Sequence, residues 1–248
     1  MQVAVIADVH GNALALRAVL EDVARRGIRE IINLGDCVSG PLWPRESFDL
    51  IEASGCRTVR GNHDRWVAAG GSGASDRVAR EALSEAQVAW LGALPLRLEP
   101  LPGLLAFHAR PNDDCAYLLE TVEEGRLVPT RVDAVAARLG DTAASGLLCA
   151  HSHIPGLLRL RDERMVINPG SVGCPAYDDP AVPAHVSESG SPFARYAVVD
   201  WTDGAVASVS MLAIGYDHEQ AARRAEALGR PEWGYALRSG LMPPDPHR

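Results

Sequence analysis

The stretch Met1-Gln-Val-Ala-Val-Ile-Ala-Asp8-Val-His10-Gly-Asn12 decides how the rest of the chain is read. Residues 2–7 form a short apolar run containing Val and Ile, which predicts a buried strand. The run stops at a carboxylate and an imidazole two residues apart, followed by Gly11 and by Asn12, a fitting N-cap for the amphipathic segment 13–26. In extended backbone, residues i and i+2 point to the same side, so Asp8 and His10 converge on one small object at the strand's end. A hard or borderline metal cation is the natural candidate.

Working outward, the same pattern returns. Segment 13–26 carries Leu16, Val19, Leu20 and Val23 on a stripe of helical period, and Gly27 ends it. Residues 28–34 make a second apolar strand that runs into Gly35-Asp36. Strand, helix, strand predicts a right-handed parallel crossover, which places Asp36 beside Asp8 and His10 beyond the carboxyl ends of the strands. Pro44 opens a helix over 45–53, and a third strand, 56–59, ends in Gly61-Asn62-His63-Asp64.

Further on, the spacing predicts a helix over 76–91 and a hairpin of 96–98 with 104–107 ending at His108. Segment 116–124 is ambiguous, 130–139 reads as a helix capped by Thr130, and strand 146–150 ends in His151-Ser152-His153. Strands at 157–160 and 165–167 precede Asn168-Pro-Gly-Ser-Val-Gly173, followed by a hairpin of 195–200 with 205–212 and a helix over 219–228. Segment 178–192, rich in Pro and Ser, is expected to be mobile or to fold over the site, and no fold is assigned from residue 229 onward.

Composition limits the function classes. The 248 residues suffice for one large domain, and a 47% hydrophobic, 23% charged composition is that of a folded globular chain. A formal net charge of −8, with arginines scattered among acids, argues against a nucleic-acid polymer as partner. A small anionic substrate remains compatible, provided that bound cations supply the positive charge. The five cysteines, Cys37, Cys56, Cys115, Cys149 and Cys174, form no CxxC pair and read as reduced thiols of a cytoplasmic protein, and no apolar run is long enough to span a bilayer.

The strand ends together deliver Asp8, His10, Asp36, Asn62, His63, His108, His151 and His153. Carboxylates with imidazoles suit manganese, iron, zinc, cobalt or nickel, and without thiolate pairs a closed structural zinc site is disfavoured. These are too many ligands for one ion; a pair of cations sharing one carboxylate would employ them all. Bland readings are respectable one at a time. His185 and His218 are read as surface or satisfied histidines, Asp76 and Asp133 as helix-terminal acids, and Cys37 as a packed thiol. Turn or loop roles for every motif residue would need a coincidence at each of five strand ends.

Asp8-x-His10, Gly35-Asp36, Gly61-Asn62-His63-Asp64, His108 and His151-x-His153, in this order, resemble the calcineurin-like metallophosphoesterase superfamily, most of all its small single-domain bacterial and archaeal phosphodiesterases and phosphatases. Ala150 departs from the Gly that usually precedes the His-x-His pair, at a position that is not a ligand. The resemblance implies an α/β fold, a four-layer αββα sandwich of two mixed β-sheets flanked by helices, forming one domain over 1–248 with cap-like insertions near 65–95 and 175–193 and a tail from 229. It also implies two divalent ions, manganese first, with Asp8, His10 and His153 on one, Asn62, His108 and His151 on the other, and Asp36 as the bridge.

On that reading a water held by both ions attacks the phosphoryl group. His63 serves the leaving oxygen and Asp64 holds and charges His63. The expected activity is hydrolysis of a small phosphodiester or nucleotide. Its rivals are a phosphomonoesterase or nucleotide pyrophosphatase of the same fold, and a protein-binding scaffold, against which the retained His63 speaks. Arg65 and Arg110 follow motif residues closely enough to meet a distal phosphate, and Trp43, Trp66 and Tyr177 are candidates to stack on a base. Segments 70–75 and 178–192 are the candidates for shaping the mouth.

Overall fold

The first strand, β1 (Gln2–Ile6), alternates its side chains between two apolar clusters, and this alternation organises the molecule. In the computed structural model, which describes residues 1–71 and 73–244, Val3 and Val5 face inward toward a second sheet, while Ala4 and Ile6 face a helical layer. β1 pairs in parallel with β2 (Glu30–Asn33), which pairs in parallel with β3 (Arg57–Thr58). On its other side β1 runs antiparallel to β13 (Ala194–Thr202), whose outer neighbour is β14 (Ala205–Ile214).

The second five-stranded sheet has the order β4 (Arg97–Leu101), β5 (Leu104–Phe107), β8 (Gly146–Leu148), β10 (Met165–Asn168), β9 (Gly156–Arg159). Leu104, Ala106, Leu148 and Ile167 from this sheet meet Val3, Val5, Ile32 and Val199 from the first across a common core. Helices α1 (Ala13–Arg25) and α2 (Pro44–Ser54) cover the outer face of the first sheet with α3 (Asn62–Ala69), α4 (Ala74–Ala82) and α5 (Glu85–Ala93). Val135 and Leu139 of α6 (Val132–Leu139) pack on the outer face of the second. The carboxyl ends of β1, β2 and β3 and those of β5 and β8 therefore lie at one end of the core.

Several elements differ from the sequence expectation. The helix expected over 76–91 is two helices, because Leu83 is extended and Ser84 opens a new capping box with Gln87. Thr130 caps nothing. Its hydroxyl pairs with that of Thr121 at 2.7 Å and accepts from Arg138, and α6 starts without a side-chain cap. The ambiguous 116–124 contributes β6 (Glu120–Glu123), hairpinned to β7 (Arg126–Pro129). Segment 178–192 contributes to β11 (Ala176–Asp179) and β12 (His185–Glu188), and these four strands form a third sheet, β11-β12-β7-β6. After α7 (His218–Ala227), residues left unassigned form α8 (Pro231–Ser239), opened by Pro231 and closed by Gly240 in the left-handed conformation. Of the expected loop 70–75, Ser72 lies outside the described residues, as do 245–248 at the chain's end. No helix among the described residues is long and apolar enough to cross a membrane.

One buried polar contact ties the helical layer to the first sheet. Tyr196 of β13, fully buried, donates its hydroxyl to Asp22 Oδ2 of α1 at 2.5 Å, and Arg26 donates to the same oxygen at 2.7 Å. Burial pushes the Asp22 carboxyl up, but the hydrogen bonds from Tyr196, Arg26 and Arg25 outweigh it and bring it down to about 2. A carboxylate with a depressed folded-state value contributes stability above its unfolded value, and that contribution is lost as pH falls through the folded one. Asp22→Asn is expected to cost about 2 kcal/mol near neutral pH. In urea melts the gap to the unsubstituted protein should narrow steadily below pH 4.

Candidate metal centre

The loops that follow the parallel strands are laced together before any side chain is considered. Asp8 donates its amide to Gly35 O at 3.0 Å and His10 donates to Asp36 O at 3.0 Å, so the first two loops run side by side. From the other sheet Ser171 Oγ and the Gly173 amide donate to Asp8 O, at 2.8 and 3.0 Å, and Asn168 Nδ2 donates to Ala150 O. The Asn168–Gly173 run thus joins the His-x-His loop to the Asp8 loop. A Cβ at Gly173 would lie 1.8 Å from Val9 O, and one at Gly61 would lie 2.1 Å from Asp36 Oδ1, so these approaches require glycine.

Two clusters result, Asp8 with His10 and His153, and Asp36 with His108 and His151; within each, one donor atom per residue lies within 4.8 Å of the others. Asn62 adjoins the second cluster, its Oδ1 lying 3.0 Å from His108 Nε2. Asp36 Oδ2 faces both, 3.7 Å from His10 Nε2 and 3.4 Å from His108 Nε2. Asp8 is fully buried, and neither of its carboxylate oxygens has a hydrogen-bond partner.

The histidines are set for ligation. Nδ1 of His10, His108 and His153 each donates to a backbone carbonyl, of Ser39, Leu34 and Cys174 respectively, every one at 2.7 Å. Such partners fix the tautomer and, in a neutral ring, leave Nε2 as an acceptor. Burial lowers His10 to about 4 and His151 to about 3, and holds His153 well below its usual range, so these rings are neutral. The Nε2 atoms of His10 and His153 therefore lie 3.1 Å apart as two acceptors with no hydrogen between them. Burial pushes the Asp8 carboxyl up to about 8, whereas at His108 the pull of Asp36 and Asp8 overcomes burial and raises the ring to about 10. Buried acceptors facing one another around an unpartnered carboxylate fit divalent cations and little else.

The backbone is strained at the same places. Eight non-glycine residues among those described have positive φ, and five of them are Asp8, His10, Asp36, His151 and His153. The other three, Glu124, Glu163 and Asp203, lie in turns between adjacent strands. Left-handed backbone costs of order 1 kcal/mol or more per residue, and clustering at one locus marks a functional site.

Asp64 does not hold His63. Its carboxylate accepts the amides of Asp36, Cys37 and Gly61 at 2.8 to 2.9 Å, because the first turn of α3 aims it back at the loop after β2. The carboxylate at His63 is Asp76, whose Oδ1 lies 2.8 Å from Nδ1 and accepts from Ser39 Oγ, while Oδ2 accepts the Gly73 amide. Asp76 is therefore a helix-terminal acid, as read from the sequence, and also the partner of His63. The juxtaposition arises from packing of α3 against α4, which no spacing in the chain announces.

Arg65 and Arg110, expected at the substrate, are engaged within the chain. Arg65 forms two bonds to Asp114, at 2.6 and 2.8 Å, and Arg110 donates twice to Tyr117 O. Of the aromatic candidates, Trp66 meets the His63 ring edge-on at 4.7 Å and Tyr177 meets His153 at 4.6 Å, whereas Trp43 carries the Arg224 guanidinium. His185 is buried and satisfied, bonded to Pro183 O and to Tyr117, whose ring stacks on His151.

The comparisons with known proteins agree with this geometry. Residues 1–189 match the model of the calcineurin-like phosphoesterase superfamily domain, and the chain belongs to that superfamily. An uncharacterized protein of Methanocaldococcus jannaschii is 31% identical, the match covering 93% of this chain and 94% of that protein. Among solved structures, a metallophosphoesterase from Sphaerobacter thermophilus superposes with a TM-score of 0.75 at 23% identity, covering 97% of this chain and 100% of the other. A hypothetical protein from Pyrococcus horikoshii OT3 gives 0.73 at 21% identity, covering 98% and 99%. These two structures share the fold.

Because Asp64 satisfies three buried amides, Asp64→Ala is expected to cost about 3 kcal/mol or more in urea unfolding. If Asp64 acted on His63 instead, the same substitution would spare stability and lower only turnover.

Proposed function

We propose that this chain is a dinuclear metal-dependent phosphoesterase that hydrolyses a small phosphodiester or nucleotide. The observation that carries the reading is the fully buried Asp8 carboxylate, unpartnered at both oxygens and set beside the facing Nε2 atoms of His10 and His153. Asp8, His10 and His153 would hold one ion, Asn62, His108 and His151 the other, and Asp36, which faces both sets, would be shared. Two divalent cations held there, manganese foremost, would supply neutralisation of the phosphoryl oxygens and a water acidic enough to attack at neutral pH.

His63 is the proton donor to the leaving oxygen. Its Nδ1 is occupied by Asp76 and Ser39, which leaves Nε2 as the atom that gives up the proton. Burial lowers the His63 ring, but Asp36 and Asp76 more than compensate and raise it, which favours the protonated form. Asp76 acts as a positioning residue through that ring, and Trp66 packs edge-on against it. Asp64, by holding the amides of Asp36 and Cys37, keeps the shared carboxylate in register.

Chelated protein should bind about two Mn²⁺ per chain on titration, regain hydrolysis of bis-p-nitrophenyl phosphate, and lose both properties on Asp36→Asn. His63→Ala should lower turnover about 10²-fold or more on an alkyl ester and far less on a p-nitrophenyl ester, whose leaving group departs without a proton. Asp76→Asn should follow the same leaving-group pattern with a smaller loss. A folded protein that binds metal but shows no metal-restored turnover on any small phosphoester would overturn this reading.

A further inference from the structure

The C-terminal hairpin of α7 and α8 lies beyond the family match and forms one wall of the centre. Ala221, Ala222, Ala225 and Leu237 pack with Leu42, in the loop that follows Asp36, and Arg224 donates to Leu42 O at 2.7 Å. On its other side α8 places Ala236 against Ala176 and Val186 of the third sheet. α8, whose start is at Arg230 and Pro231, is thereby wedged between the Asp36 loop and that sheet.

Arg230 and Trp233 stand at this start. The Trp233 ring meets His10 edge-on at 6.4 Å, and the Arg230 guanidinium lies over Trp233 at 5.9 Å. Arg230 Nη1 donates to Ser75 Oγ at 3.2 Å, and Ser75 precedes Asp76, the partner of His63. One guanidinium thus lies between Trp233, which meets His10, and Ser75, whose neighbour Asp76 bonds His63. Its side chain is 26% exposed, and its Nε pairs with Glu232 at 2.5 Å, while Nη2 meets no acceptor among the described residues.

We propose that Arg230 binds a second phosphoryl group next to the scissile one, so that the substrate is a small molecule with two adjacent phosphates, of the nucleoside diphosphate class. The inference rests on the phosphoesterase reading for the position of the scissile group. A planar guanidinium whose Nη2 meets no acceptor among the described residues suits phosphate oxygens, and the ring of Trp233 lies beneath it. Glu232 keeps the guanidinium ordered and competes with the incoming anion.

The test is calorimetry on the full, Mn²⁺-loaded chain with two probes that are not turned over. Inorganic phosphate occupies one phosphoryl position and α,β-methylene-ADP occupies two. Arg230→Gln should weaken α,β-methylene-ADP about tenfold more than it weakens inorganic phosphate, Arg230→Lys should recover part of that difference, and Glu232→Gln should tighten α,β-methylene-ADP selectively. Equal weakening of both probes by Arg230→Gln would mark a structural role and overturn the proposal, as would α,β-methylene-ADP binding no tighter than phosphate in the unsubstituted protein. If Arg230→Gln unfolds the hairpin, the Glu232→Gln result decides: no selective gain overturns the proposal. Selective binding through Arg230 in a protein that hydrolyses no phosphoester would refute the phosphoesterase reading and leave the anion site standing.

Discussion

Two buried carboxylates with too little positive charge around them are what the rest of this structure depends on. Asp8 and Asp36 are both at most 1% exposed, and the nearest ionisable neighbours are imidazoles, of which only His108 is raised into the protonated range within the two clusters. Isolated carboxylates are not tolerated in such surroundings unless a cation or a proton balances them. The chain keeps them there by joining two sheets whose carboxyl ends meet at one place, and by stitching the loops of one sheet to those of the other through Ser171, Gly173 and Asn168. Positive φ at five residues of the centre is part of the same compromise, since the loops must turn sharply to aim Asp and His inward.

The second layer of groups divides the work. Backbone carbonyls of Ser39, Leu34 and Cys174 each fix one imidazole, so the geometry of the centre is inherited from rigid main chain rather than from other mobile side chains. Asp64 and Asp76 have opposite assignments despite the adjacency of Asp64 to His63. One binds three amides and fixes the loops, and the other reaches from α4 to orient the ring. A side chain at position i+1 on a helix points about 100° away from its neighbour, so adjacency in sequence is a poor route to contact there.

Around the centre the chain has built walls from late or inserted elements. Tyr117, in the loop before β6, and Tyr177 of β11 pack against His151 and His153, and their hydroxyls meet at 2.7 Å. Trp66 and Trp233 close the opposite flank beside His63 and His10. Aromatic rings that exclude water lower the local dielectric and strengthen every charge interaction inside, which is why the centre's arrangement and its enclosure belong together.

Most of the fold and the full set of motif residues were legible in the primary structure, because short apolar runs ending in Asp and His are local signals. Strands of period 2, helices of period 3.6 and the polar residues at strand ends need only neighbouring positions to be recognised. Boundaries failed where a cap or a tertiary pairing overrode the pattern, as at Ser84, where a capping box splits a helix, and at 176–188, where two strands pair with each other and the second adds to the edge of the 120–129 hairpin. The sequence by itself determined which side chains could meet at the ends of the strands. Only the tertiary structure decided that Asp76 and not Asp64 touches His63, that Arg65 and Arg110 are committed elsewhere, and that Arg230 comes to the centre's rim. These contacts join residues from 7 to 49 or 155 positions apart, and they depend on how helices and sheets pack. No local pattern encodes that packing, because its energy is spread over a whole interface and not over a few neighbouring residues.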